Sequence, residues 1–118
     1  MAQFHLVLAT LGRRGVFGSD EARQVATEWR RLQGELRVAL TKVSFVPDHV
    51  HIALRTHPAV APADVVVALM NAAQEVMSRG LVHAGLNRLW QPGAYVGGYG
   101  HLASPQIRKY IESWAAIL

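Results

Sequence analysis

The sequence predicts an α+β protein of the ferredoxin-like kind: a doubled split βαβ unit with a four-stranded antiparallel sheet, two helices on one face, and an additional C-terminal helix that bears a tyrosine. Three observations predict it. Short segments alternate apolar and polar residues with the period of a strand, and longer ones between them repeat with the period of a helix. Helix-starting and helix-stopping residues fall at the joints. Pro47-Asp48 makes a tight turn between two strand-like runs. The order is strand, helix, strand, strand, helix, strand, helix.

Residues 3–10, rich in Phe, Leu and Val, read as the first strand. Leu11 to Gly18 is a basic loop carrying Arg13 and Arg14. Ser19 offers an N-cap, and Asp20 and Glu21 suit the positive end of the helix dipole. Ala22, Val25, Ala26, Trp29 and Leu32 follow at helical spacing, and Gly34 is expected to stop this helix. Residues 35–46 carry Leu36, Val38, Leu40, Val43 and Phe45, a strand with one break in its alternation, and 49–56 runs back as its partner. Pro62 opens a second helix with Asp64 close behind. Val65, Val66, Leu69, Ala72, Ala73, Val76 and Met77 give it a broad apolar face, and Gly80 is expected to end it. The segment 81–92 is ambiguous. Residues 93–99 read as a fourth strand, weakened by Gly97 and Gly98. Ser104-Pro105 starts the last helix, which runs to about Ala116.

With 118 residues the chain is expected to form one domain, 1–118, that buries a core without covalent staples. It has no cysteine, which excludes a disulfide framework and a thiolate metal site and is compatible with a reducing cytoplasm. No signal peptide is expected, because Met1-Ala2-Gln3-Phe4-His5 enters a strand pattern without a basic leader. The longest apolar stretch, Val65 to Met70, is too short to span a bilayer, so no membrane partner is expected. Twelve Lys+Arg against eight Asp+Glu leave a net charge of +4. Ten of the twelve cations are arginine, which forks onto phosphate where lysine cannot. This balance permits a nucleic-acid partner without demanding one, since a bland basic surface has the same composition.

His49 and His51 lie one residue apart directly after the turn. On a strand they share a face while Val50 points into the core. Two imidazoles side by side make half of a divalent-metal site. The pattern alone also fits two histidines on a half-exposed strand, and chance produces roughly 0.3 such pairs in a chain of this make-up. Tyr110 borders the apolar stripe Ile107, Ile111, Trp114 and Leu118 of the last helix, a position that amphipathic packing also explains. Taken together, a histidine pair and a phenol point to metal-assisted cleavage of a nucleic-acid strand. Arg13, Arg14, Arg37, Lys42 and Arg55 are candidates for the DNA backbone. Arg108 and Lys109 flank the phenol and can steady a phosphate. His57, His83 and His101 read as solvated loop residues, and His5 as packed or locally bonded.

Val46-Pro47-Asp48-His49-Val50-His51-Ile52 resembles the HUH motif (histidine, hydrophobic, histidine) of the single-tyrosine HUH transposases. These are the small transposases of two-hundred-type bacterial insertion sequences and their repeat-associated, domesticated relatives. His5-Leu6-Val7 through Thr10 with Arg13-Arg14 is similar to that family's opening strand and basic loop. Leu89-Trp90 with Gly93-Ala94-Tyr95-Val96 resembles its last strand, and Ile107-Arg108-Lys109-Tyr110-Ile111 its tyrosine helix. The resemblance implies that His49 and His51 hold Mg2+ or Mn2+ and that Tyr110 attacks single-stranded DNA. The products would be a 5′-phosphotyrosine link and a free 3′-hydroxyl, and rejoining would need no ATP. It implies a homodimer in which one subunit's tyrosine helix completes the other's histidine pair. The substrates would be imperfect-palindrome hairpins at element ends, in a bacterial or archaeal cytoplasm. Gly97, Gly98 and Gly100 resemble the family's flexible link, a hinge for the helix.

The sequence departs from the family at Trp114, where a glutamine usually supplies the third ligand. Gln106 or Glu112 could stand in. The same departure suits a rival, a catalytically impaired, domesticated hairpin-binding protein. A ferredoxin-like metal- or small-ligand-binding protein is a further alternative. A two-histidine phosphoesterase is disfavoured, because Ile52-Ala53 follows His51 where such enzymes need a hydroxyl.

Overall fold

The structure, a computed structural model, describes residues 2–83, 85, 88–91 and 94–98. Its elements are β1 (Ala2–Ala9), α1 (Ser19–Leu36), β2 (Val38–Val46), β3 (His49–Thr56), α2 (Pro62–His83) and β4 (Tyr95–Gly98). A short 3-10 turn, Leu11–Arg13, follows β1. The sheet order is β2-β3-β1-β4 with every neighbour antiparallel. This is the doubled split βαβ arrangement, with β1 and β3 at the centre. The helix expected from Ser104 lies outside the described residues.

Facing residues of an antiparallel pair share a side of the sheet, so register decides what each side carries. Leu6 faces Ile52 and Leu8 faces Val50. These residues and Leu54 form one buried cluster with Val25 and Trp29 of α1 and with Val65, Leu69, Ala73 and Met77 of α2. His5, Val7, Ala9, His49, His51 and Ala53 therefore take the opposite side. That side is not plain solvent surface, for Val7 is 2% exposed and Tyr95 1%.

Two indoles fix α2 against the rest. Trp29 Nε1 donates to the Leu69 carbonyl at 2.8 Å and Trp90 Nε1 to the adjacent Met70 carbonyl at 3.0 Å. Each tryptophan thus buries its ring without stranding its polar atom. Leu89 donates to Gln74 Oε1 at 2.8 Å. Part of the segment left ambiguous by the sequence runs beside the end of β1, where Leu11 donates to the Leu89 carbonyl at 2.9 Å and Gln91 to Ala9 at 2.8 Å.

Several boundaries differ from the sequence expectation. β1 runs over Ala2–Ala9 and not 3–10. Gly18, not Ser19, is the N-cap of α1, and no side chain caps that end. Gly34 does not stop α1, which continues to Leu36 and closes at Arg37 in the left-handed conformation (φ 55°, ψ 45°), so β2 begins at Val38. Packing of Leu36 against the core offsets the roughly 1 kcal/mol that a mid-helix glycine costs. Gly80 likewise fails to end α2, because Leu81 beyond it is buried. β4 begins at Tyr95, one residue after the unpaired Ala94, and not at position 93. Extended this way, α2 contains a stretch, Ala63–Val82, long and apolar enough by length and composition to cross a membrane, contrary to the estimate from Val65–Met70. Its apolar stripe is instead packed against the sheet and α1.

The break in alternation of β2 is a bulge between Leu40 and Lys42. Thr41 is the extra residue, and its hydroxyl donates to the Ala53 carbonyl at 3.0 Å. The bulge resets the phase, so Leu40 and Val43 both pack on the core while Lys42 and Ser44 fall on the histidine side. The packing predicts that Trp29→Ala destabilises the fold by about 3–5 kcal/mol, read as a lower urea midpoint with an unchanged slope.

Candidate active site

β1 and β3 place three imidazoles in a row. Ala9 faces His49, Val7 faces His51 and His5 faces Ala53, all on the side away from the helices. The ring centroids of His49 and His51 lie 4.8 Å apart at 74°. Those of His51 and His5 lie 5.6 Å apart and nearly parallel, at 22°. Tyr95, opposite Val7 on β4, meets His5 edge-on at 6.3 Å. On the other flank, Lys42 faces Ala53 and Ser44 faces His51. A cavity of about 300 Å³ opens between them, lined by His5, Lys42, Ser44, His51 and Ala53.

Asp48 orients the first ring. Its Oδ1 lies 2.7 Å from His49 Nδ1 and its Oδ2 accepts from Arg13 Nε at 3.2 Å. A carboxylate accepts only, so Nδ1 carries the proton and the lone pair stays on Nε2. Oriented by its neighbour, a half-buried His49 (25% exposed) presents that lone pair beside His51. The turn itself is tied to β1, since Thr10 donates its N–H to the Asp48 carbonyl at 2.9 Å and its hydroxyl lies 3.0 Å from the same oxygen.

Burial raises the Asp48 pKa, but hydrogen bonds from His49 and Arg13 outweigh it and hold the carboxyl below its usual value. Burial holds His51 below the ordinary imidazole value, helped by the nearby charges of His49, His5 and Lys42. Burial and Lys42 do the same to His5. The site therefore keeps these two rings neutral near pH 7, the form that can donate to a metal.

The donor set fits half of a divalent-metal shell: one imidazole with its outer nitrogen fixed by a carboxylate, and a second, neutral one beside it. Among the described residues no group of three His, Asp or Glu converges on one point. A hard cation would need oxygen ligands from elsewhere.

The expected residues are distributed unevenly. His49 and His51 come together as predicted. Arg13 is paired to Asp48, and Arg14 is exposed beside it. Lys42 and Arg55 share the histidine side of the sheet, with Arg55 four residues along β3 from His51, about 13 Å away. Arg37 sits at the opposite end of β3, in the α1 cap, its carbonyl accepting from the His57 N–H at 3.2 Å. Gly97 and Gly98 belong to β4 itself, opposite His5 and Phe4. Tyr110, Gln106, Glu112, Arg108, Lys109, Trp114 and Gly100 lie outside the described residues. Sequence reasoning missed three contributors. The sequence presents Asp48 as a turn residue, though a carboxylate directly before a candidate ligand is a usable signal. The sequence presents His5 as local packing and gives Ser44 no local signal, because the places of both depend on register across strands.

An antiparallel ferredoxin-like sheet with paired imidazoles on the helix-free side of its central strand β3 defines the class of α+β protein to which the chain belongs. The family model described as "Transposase IS200 like" matches residues 1–114, and the chain belongs to that family. Membership gives it a transposase function at the level of the family. Among solved structures, a candidate transposase from Deinococcus radiodurans R1 is similar at 27% identity and TM-score 0.81, covering 94% of this chain and 88% of that one. A REP-associated tyrosine transposase bound to a REP hairpin shares the fold at TM-score 0.66 and 10% identity, covering 94% of this chain and 62% of that one. No curated protein matches.

The depressed histidines predict a pH dependence. The unfolded chain takes up these protons near pH 6.5, and the folded chain resists them. Their contribution is whole above that pH and is lost as pH falls below it, toward the lower folded values. In chelator-treated protein the urea midpoint should drop between about pH 7 and pH 5. The His5 and His51 ring resonances should titrate below 6.5, and midpoints at or above that value would contradict the assignment.

Proposed function

We propose that this chain is a metal-dependent transposase and endonuclease that cleaves and rejoins single-stranded DNA at hairpin-bearing element ends through a 5′-phosphotyrosine intermediate. The observation that carries the reading is the oriented His49 beside His51 on a sheet side that opens into a cavity. In this reading His49 Nε2 and His51 hold Mg2+ or Mn2+. Gln106, Glu112, a substrate phosphate oxygen or water supplies the oxygen that two imidazoles leave wanting. A cation held by these two imidazoles would supply charge neutralisation at the phosphodiester and help to align it.

Tyr110, on its own or the partner subunit's helix, supplies the nucleophile. Its phenol oxygen bonds to phosphorus as its proton leaves. The bond from phosphorus to the 3′ oxygen breaks, and that oxygen departs with the electron pair and gains a proton as a 3′-hydroxyl. The 5′ side stays on the tyrosine. Attack by another strand's 3′-hydroxyl reverses each change and rejoins DNA. A phenol with a pKa near 10 suits both directions, being a better leaving group than a serine alkoxide. Arg14, Arg55, Arg108 and Lys109 neutralise backbone phosphates along the strand. A homodimer with shared sites and a hinge at Gly97, Gly98 and Gly100 completes the proposal. DNA as substrate assigns the protein to the cytoplasm. The hairpin on which the REP-associated relative was solved supports a stem-loop substrate.

One feature favours a second reading. Tryptophan at position 114 cannot ligate a metal, so the chain could bind hairpins without cutting them. The experiment that separates the two incubates the protein with hairpin-bearing single-stranded DNA and Mg2+ or Mn2+. A denaturation-resistant protein–DNA adduct is expected, lost in Tyr110→Phe and in His49→Ala. Salt-dependent hairpin binding without an adduct under any metal would establish the binding module instead.

A further inference from the structure

We infer that the cavity beside the histidine pair is a seat for a backbone phosphate of the single strand, built by Lys42, Ser44 and His5. The inference rests on the transposase reading and adds the residues that position the strand next to the ion.

The three imidazoles form a row and not a triangle. His51 is 4.8 Å from His49 on one side and 5.6 Å from His5 on the other. His5 faces Ala53 across the strands, and His49 faces Ala9, at the far end of β1. Four residues on a strand span about 13 Å, so His5 cannot join His49 on one ion. The ion belongs to the His49 end and the cavity to the His5 end, with His51 shared between them. A ligand in the cavity is therefore a neighbour of the ion and not a part of its protein shell.

The lining has the chemistry of an anion seat. Lys42 brings an ammonium, Ser44 a hydroxyl, and His5 and His51 bring rings. Among the described residues, no carboxylate lines the cavity to compete for the ammonium. Lys42 is also placed by a specific device. Without the bulge at Thr41 the strand phase that buries Leu40 would turn Lys42 toward the helices. A volume of about 300 Å³ admits a phosphate with adjoining sugar. A linear chain of phosphodiesters with one phosphate at the ion needs its next contact close by on the same surface, and this cavity provides it.

The test measures binding of the full-length protein to an oligodeoxythymidylate of about ten nucleotides, in chelator, over a range of salt. Lys42→Met keeps the aliphatic stem and removes the charge. Arg79→Gln removes one charge from the exposed side of α2, remote from the cavity. Lys42→Met should flatten the plot of log affinity against log salt by about 0.7 and cost about five-fold in affinity at 0.1 M salt, while Arg79→Gln and Lys42→Arg keep the wild-type slope. In the wild-type protein, inorganic phosphate should shift the His5 and His51 ring resonances and leave His57 in place. Wild-type affinity and slope in Lys42→Met overturn the seat while leaving the transposase reading intact. A wild-type protein that binds no single strand at all overturns both.

Discussion

The Asp48 carbonyl accepts the Thr10 N–H at 2.9 Å while its carboxylate lies 2.7 Å from His49 Nδ1 and 3.2 Å from Arg13 Nε. Through these contacts one residue couples the end of β1, the basic loop and the first imidazole. A free histidine on a strand samples ring flips and both tautomers. A histidine held by a carboxylate has one tautomer and one outward nitrogen, which is the usual arrangement behind a metal-ligating imidazole. Hydrogen bonds from His49 and then Arg13 hold that carboxyl below its usual value despite partial burial. Arg13 therefore serves the site by holding Asp48.

The remaining geometry follows from strand register. Pairing of Val7 with His51 and Ala9 with His49 sends the histidines to one side and Val50 and Ile52 to the other. A slip of one residue would exchange the two sides and cost the core as well as the site. The core thus protects the site's register: the same leucines and valines that pack on α1 and α2 hold the imidazoles in line. The bulge at Thr41 lets β2 serve both sides, with Leu40 and Val43 inward and Lys42 and Ser44 outward. Partial burial under this arrangement keeps His5 and His51 neutral, and charge at Lys42 adds to that effect.

Much of this was legible in the sequence. The period-two runs, the Pro47-Asp48 turn and the helical spacing in both helices gave the element order, and the break between Leu40 and Val43 marked the bulge. His49 and His51 were visible because their relation is local. His5 and Ser44 were not, since their places beside His51 depend on which strands pair and in what register, and no local spacing encodes that. Gly34 and Gly80 misled for a related reason. A glycine is a weak stop, and the burial of Leu36 and Leu81 just beyond each one carried the helix onward.

In the proposed reaction an Asp48-oriented His49 and a neutral His51 bind one divalent cation together. Pulsed EPR of Mn2+ added to the protein, with a parallel titration of affinity, tests it directly. Coupling to two imidazole nitrogens is expected, one lost in His51→Ala, with an affinity about 10- to 100-fold weaker in Asp48→Ala. Manganese bound without nitrogen coupling, or with unchanged affinity in Asp48→Ala, would contradict it.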